Sequence, residues 1–333
     1  MKNTINIFLV ISSIFLLTAC TPKLTIQALQ ASKVEGIKVN SIFLEQFSND
    51  SVYQTQAIAN EISNNIVENK KVFSLQNNIN FSDAVLKGEV VNSSADYNVY
   101  YQEEVDFGRC RYFSYDKHSK TRHCVEYYVR YIPCEDASFN VSTNINLIRT
   151  NSGETIFSNT YSRSSRDHQC FYGYYSYSPF PNHISARNNA NIVNQDLARQ
   201  IAKDIIRDIS PSYIYFDIEI IDDLKDIQEK FTYTKEQKEE FKKAVKMLEN
   251  RNLESAKDIF ATLDKETQGQ SIESVYNLAL IFEAQNELEI ANKLYLEAFK
   301  RVENSNYKAL IEQGIFRTNS NLEHKIKAIS QLP

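Results

Sequence analysis

Four internal cysteines, Cys110, Cys124, Cys134 and Cys170, are the residues best suited to chemistry, and His118, His123, His168 and His183 lie near them. Such a set has two chemical readings. Zinc accepts mixed thiolate and imidazole ligands, whereas oxidation would pair the thiols as two disulfides in one of three connectivities. Metal is the poorer reading, because Cys110 and Cys124 lack the spacing of a Cys-x-x-Cys knuckle. We expect no metal, and histidines solvated in loops. Local strand pairing then selects the connectivity. A three-residue loop of Asn151, Ser152 and Gly153 would place glycine at the left-handed position such loops favour, and its hairpin sets Cys134 opposite Cys170. A second hairpin, turning near Lys117, sets Cys110 opposite Cys124, Phe107 opposite Tyr127, Val105 opposite Val129 and Glu104 opposite Arg130. Opposed aromatic, β-branched and oppositely charged pairs stabilise a sheet. The expected bonds are Cys110–Cys124 and Cys134–Cys170, each contributing roughly 3 kcal/mol by restricting the unfolded chain.

Disulfides need an oxidising compartment, and the N-terminus supplies the address. One lysine, Lys2, precedes an apolar run from Ile5 to Leu17, then Leu17-Thr18-Ala19-Cys20. That pattern is a secretory signal, too short for a spanning helix. The last four residues resemble the lipobox of bacterial lipoproteins, which implies a signal peptide over 1–19 and a lipid bilayer anchor through acylated Cys20. Several acyl chains on one residue hold stably where one would not. Thr21, rather than aspartate, follows the cysteine; by that resemblance we expect an outer-membrane location facing the periplasm.

Other chemistries find little support. The chain lacks a Gly-rich phosphate loop, a Gly-x-Ser-x-Gly elbow, His-Glu-x-x-His and a Cys/His nucleophile pair, so no catalytic residue, no cofactor and no enzyme are expected. Asp222, Asp223 and Asp226 read as a solvated helix face. A net charge of -5 without a basic block argues against nucleic acid. Tyr172, Tyr174, Tyr175 and Tyr177 crowd into one short segment and are candidates for partner binding, since tyrosine offers large contact area at low entropy cost.

The elements that must position these residues fall into two unlike halves. The fold class expected is α+β: a mainly antiparallel sheet with helices packed on it, then an all-α helical-repeat domain. Residues 20–35 read as a tether, 36–210 as the α/β domain with a disulfide-bearing hairpin insert over 96–184, 211–235 as a linker and 236–333 as helical repeats. Within the first domain, Ile37 to Phe47 reads as a strand. Ile58, Ile62, Ile66 and Val67 read as one helix, Ala84 to Val91 as a strand, and Asn191 to Ile209 as a helix stopped by Ser210-Pro211.

A repeat runs through the second half. Ala244, Met247, Leu253, Ala256 and Phe260 recur as Ala279, Phe282, Leu288, Ala291 and Tyr295, each 35 residues on. Small residues let antiparallel helices approach, and larger ones fill the space between them. The pattern resembles the tetratricopeptide repeat. A further step lands on Gly314 but then on Arg317, Glu323 and Ile326, so a third unit is degenerate or a capping helix.

The first domain also carries a resemblance. Ile37 to Phe47, the helix after it, and Asp83-Ala84-Val85-Leu86-Lys87-Gly88-Glu89-Val90 are similar to the CsgG-like lipoproteins, the group of the curli secretion lipoprotein and the lipoprotein activators of penicillin-binding proteins. The hairpin from Ile145 to Ser158 fits the same pattern. The resemblance spans roughly 36–210 and implies assembly or binding roles. The expected function is that of an anchored envelope lipoprotein scaffolding a complex through an unidentified protein partner, with the repeats offering a groove to that partner's peptide or helix. The alternative is a subunit of an oligomeric secretion channel, because Val125, Tyr127, Val129 and Tyr131 alternate as a lipid-facing strand would.

Overall fold

The computed structural model describes residues 21–34, 38–118, 120–178, 190–225, 232–302 and 307–333. The chain is α+β with a helical second half, and it divides into two units. In chain order the elements are β1 (Lys23–Gln30), β2 (Ser41–Leu44), α1 (Gln54–Asn64), β3 (Ile66–Val67), β4 (Lys70–Lys71), β5 (Ser74–Gln76), β6 (Ala84–Asp116), β7 (Thr121–Arg149) and β8 (Thr155–Cys170). There follow α2 (Ala190–Ile209), β9 (Ser212–Glu219), α3 (Lys235–Glu249), α4 (Leu253–Glu266), α5 (Ile272–Ala284), α6 (Leu288–Arg301) and α7 (Lys308–Gln331).

The sheet unit holds five strands in the order β5-β2-β6-β7-β8. The expected antiparallel pairing holds for β6, β7 and β8, but β2 runs parallel to both β5 and β6. One face of the sheet is covered by α1 and α2. Val141, Ile145 and Leu147 of β7 point into that layer and are buried with Ile58, Ile62, Ile201 and Ile205, while Asn140, Ser142 and Asn144 alternate to the other face. A polar pin crosses the layer: Thr143 Oγ1 donates to Gln54 Oε1 at 3.1 Å, and Gln54 Nε2 donates to the Ala198 carbonyl at 3.0 Å. Gly88 is required where Phe47 lies over β6, since a Cβ there would fall 2.4 Å from the Asn144 carbonyl and 2.5 Å from the Phe47 ring. Of the strand expected over Ile37 to Phe47, Ile37 lies outside the described residues, and within 38–47 the strand runs over Ser41–Leu44. The helix expected to carry Ile66 and Val67 ends at Asn64, and those two residues pair with Lys71 and Lys70 instead.

The helical unit comprises β1 and the chain from Ser212 to Ser330. Here two expectations are corrected. The presumed tether contains β1 and the presumed linker contains β9, and these pair antiparallel from Lys23↔Glu219 to Gln30↔Ser212. The reason is burial: Leu24, Ile26, Ile218, Ile220, Ile221 and Leu224 all enter the core of the helical unit. The helices form two hairpins in tandem, α3 with α4 and α5 with α6. A capping box opens α3, with the Thr234 hydroxyl accepting from Gln237 N at 3.2 Å and Gln237 Oε1 accepting from Thr234 N at 3.0 Å. Ala244, Ala256, Phe260, Ala279, Ala291 and Tyr295 are all fully buried, and Phe282 packs against them partly exposed. The repeat reaches the backbone too. Arg251 and Asn286, 35 apart, take left-handed φ of 58° and 64° between the helices of each hairpin, followed by Asn252 N donating to the Met247 carbonyl and Glu287 N to the Phe282 carbonyl, both at 2.9 Å. The third unit is the single helix α7, and Gln331–Pro333 group with the sheet unit.

Candidate interaction surfaces

The helical groove is built around α5, whose residues Ile272 to Ile281 are buried without interruption. Three polar side chains on it hold main chain at the end of β9 and just beyond it. Asn277 donates through Nδ2 to the Ile221 carbonyl at 2.8 Å and accepts from Ile221 N at 3.1 Å. Tyr276 donates to the Glu219 carbonyl at 2.9 Å, and Glu273 accepts from Lys225 N at 3.4 Å and from the Tyr233 hydroxyl at 3.3 Å. Burial pushes the Glu273 carboxyl above its ordinary value. The groove expected to stand open for a partner is therefore filled by the chain's own segment from 219 to 225. Sequence reading missed Glu273, Tyr276 and Asn277. The available signal was their polarity at positions where a wholly buried helix must satisfy each polar group.

The second surface is the hairpin of β6 and β7. These strands continue well past the end of β8 as a two-stranded arm, with residues exposed on both faces. A ribbon of that kind is marginal without reinforcement. Cys110–Cys124 joins its two strands, and Cys134–Cys170 ties the end of β8 to β7 at its base, with Cα separations of 5.6 and 4.0 Å. The register explains one bond simply: Cys134 lies opposite Cys170, in a hairpin whose tip places Gly153 at φ 71°. In the other hairpin Glu104↔Arg130 and Val105↔Val129 pair as expected, but Cys110 faces Tyr127 and Cys124 faces Phe113. Register shifts between Asp106 and Phe113 displace the outer arm, and the disulfide spans the offset. Phe107 still meets Tyr127 edge-on, with centroids 5.2 Å apart.

The tyrosine-rich segment turns back over this arm. Ser176 exchanges backbone hydrogen bonds with Tyr131, and the Tyr177 hydroxyl donates to Asp106, holding that carboxyl below its ordinary value. Tyr128 packs on Tyr177, Arg109 lies 4.9 Å over the Tyr177 ring, and Arg130 lies 5.3 Å over Tyr175. Tyr175 and Tyr177 thus serve the arm itself, whereas Tyr172 and Tyr174 keep 58% and 53% of their surface exposed. The remaining sequence candidates scatter. His168 and His123 stand on strands rather than in loops, and His168 Nδ1 sits 2.7 Å from Asp136. Asp222 and Asp223 lie in an irregular stretch, not on a helix, and Asp223 pairs with Lys242 at 3.8 Å. Cys20, His183 and Asp226 fall outside the described residues.

No family model matches the sequence, and no curated protein matches it. Among solved structures the chain is similar to a minor lipoprotein from Acinetobacter baumannii, with 12% identity, 50% of this chain and 91% of that one covered, and a TM-score of 0.24. An uncharacterized lipoprotein B from Nitrosomonas europaea gives 10% identity, coverage of 52% and 84%, and a TM-score of 0.23. A Xanthomonas campestris protein gives 8% identity, coverage of 53% and 84%, and the same score. Superpositions this poor carry no assignment of family or role.

Proposed function

We propose that this chain is an envelope lipoprotein, anchored through acylated Cys20 at the outer membrane and facing the periplasm. It acts by protein contacts, without catalysis or cofactor, as a scaffold or accessory factor in a larger assembly. The observation that carries the reading is the tandem helical hairpin, tetratricopeptide-like in its spacing, that grips the main chain just after β9 through Asn277. Stacked helical pairs are suited to presenting contact surfaces rather than reactive groups. No helix among the described residues is long and apolar enough to cross a membrane. Photo-reactive residues placed at Phe316 and Ile326, both exposed on α7, and at Tyr172 and Tyr174 test this in living cells. A discrete, position-dependent protein adduct from α7 supports the scaffold, and no adduct from either α7 position rejects it.

The CsgG-like channel is a second reading, favoured by one observation: the arm is a long hairpin of alternating residues. Against it, Glu104 pairs with Arg130 on one face, which leaves Glu103 on the face of Val105 and Val129. The native mass of the detergent-extracted protein separates the two, since a closed ring of copies supports the channel and a monomer or dimer removes it.

A further inference from the structure

The end of the β6–β7 hairpin differs in charge from the rest of the chain. Over residues 107 to 128, five cationic side chains (Arg109, Arg111, Lys117, Lys120, Arg122) face two carboxylates (Asp116, Glu126), an excess of three positive charges in a chain of net charge -5. The same stretch exposes Phe107, Tyr112, Phe113 and Tyr115, each with more than half of its surface in solvent. Folding gains nothing from leaving these rings in water. The sheet unit buries its apolar residues against α1 and α2, and the arm lies beyond that layer.

We propose that this hairpin tip docks into the headgroup layer of an anionic phospholipid bilayer. Aromatic rings with one wet edge partition to the membrane interface, and interleaved lysines and arginines are drawn to anionic headgroups. The tip offers both on one side of the ribbon. Tyr115 lies opposite Arg122 in the register, and the Arg122 guanidinium stands 4.6 Å over the Phe113 ring, so cation and aromatics enter together. Arg111 is paired with Glu126 at 2.9 Å, which leaves the excess charge with the other four cations. The Cys110–Cys124 bond fixes the two strands at the base of the tip, so little ordering cost falls on docking. This inference stands on the arm alone and needs no lipid on Cys20.

The sequence contains no tryptophan, so a single Tyr115→Trp substitution gives a unique emission signal. The full chain carrying it is transferred from detergent to vesicles of phosphatidylcholine, with or without phosphatidylglycerol. Docking predicts a blue shift with phosphatidylglycerol only, reversed as the Debye length falls from about 10 Å at 0.1 M salt to about 3 Å at 1 M. Lys117→Gln, Lys120→Gln and Arg122→Gln should each weaken it about five-fold. A Phe316→Trp probe on α7 serves as the control. Equal shifts in both lipids, equal shifts from both probes, or no shift at all would each overturn the proposal.

Discussion

Arg317 of α7 holds the buried Glu283 of α5 in a two-pronged ion pair, with Nε to Oε1 at 2.6 Å and Nη2 to Oε2 at 2.8 Å. Arg317 stands at the position where earlier repeats carry Met247 and Phe282, so at that position charge joins the apolar packing that Ile311 of the third unit brings to the core. Glu283 has no exposed surface, and the Tyr295 hydroxyl also donates to it at 2.9 Å. Losing one partner strands a desolvated charge, whereas replacing both need not. Arg317→Ala should therefore cost about 3 kcal/mol or more in urea unfolding of the helical unit. The double variant Glu283→Gln with Arg317→Met should recover most of that loss. A single variant as stable as the parent contradicts the account.

Gly314 gives a sign test. Glycine inside an exposed helix is usually improved by alanine, by about 1 kcal/mol. Here a Cβ would meet the Tyr295 ring at 2.7 to 2.9 Å, and that ring is fully buried. Gly314→Ala should instead destabilise by about 1–3 kcal/mol, as overpacking does. Thermal melts that rise on substitution would show that α7 can retreat from α6.

Glu273 predicts a pH dependence. Its folded carboxyl lies above the ordinary value because burial disfavours the charged form. Its contribution is therefore fully present below the ordinary carboxylate range and is lost as pH rises through the raised folded value. Glu273→Gln removes the charge while keeping one oxygen as acceptor for Lys225 N and turning an NH2 donor toward the Tyr233 hydroxyl oxygen. The variant should melt higher than the parent at neutral pH and lack the decline seen on leaving acid, as a pH series of melts would read.

The two disulfides should open in order. Cys134 is fully buried in the three-stranded region, while Cys110 and Cys124 lie in the open arm. Limiting reductant followed by alkylation and peptide mass analysis should label Cys110 and Cys124 first. Labelling of Cys134 before either would show that the arm is more protected than the sheet.

Local pattern carried much of this molecule. The alternation near Val105 and Val129, the Asn151-Ser152-Gly153 tip and the 35-residue recurrence from Ala244 to Ala279 each depend on residues close in sequence, so their registers can be read without the fold. Even the Cys134–Cys170 bond follows from such a register. Three things did not. The pairing of β1 with β9 joins segments at opposite ends of the sheet unit's sequence, and nothing local in Leu24 or Ile218 names its partner. The shift that sets Cys124 opposite Phe113 arises where Gly108 and its neighbours leave the ladder, and alternation alone does not locate a bulge. The occupied groove is the clearest case. Asn277 shows in sequence only as a polar residue on an apolar helix, and its grip on Ile221 exists because folding brings the segment after β9 across α5. Sequence determined which faces are apolar and which turns are tight; tertiary structure decided which distant segments cover those faces, because that choice depends on contacts summed over the whole fold.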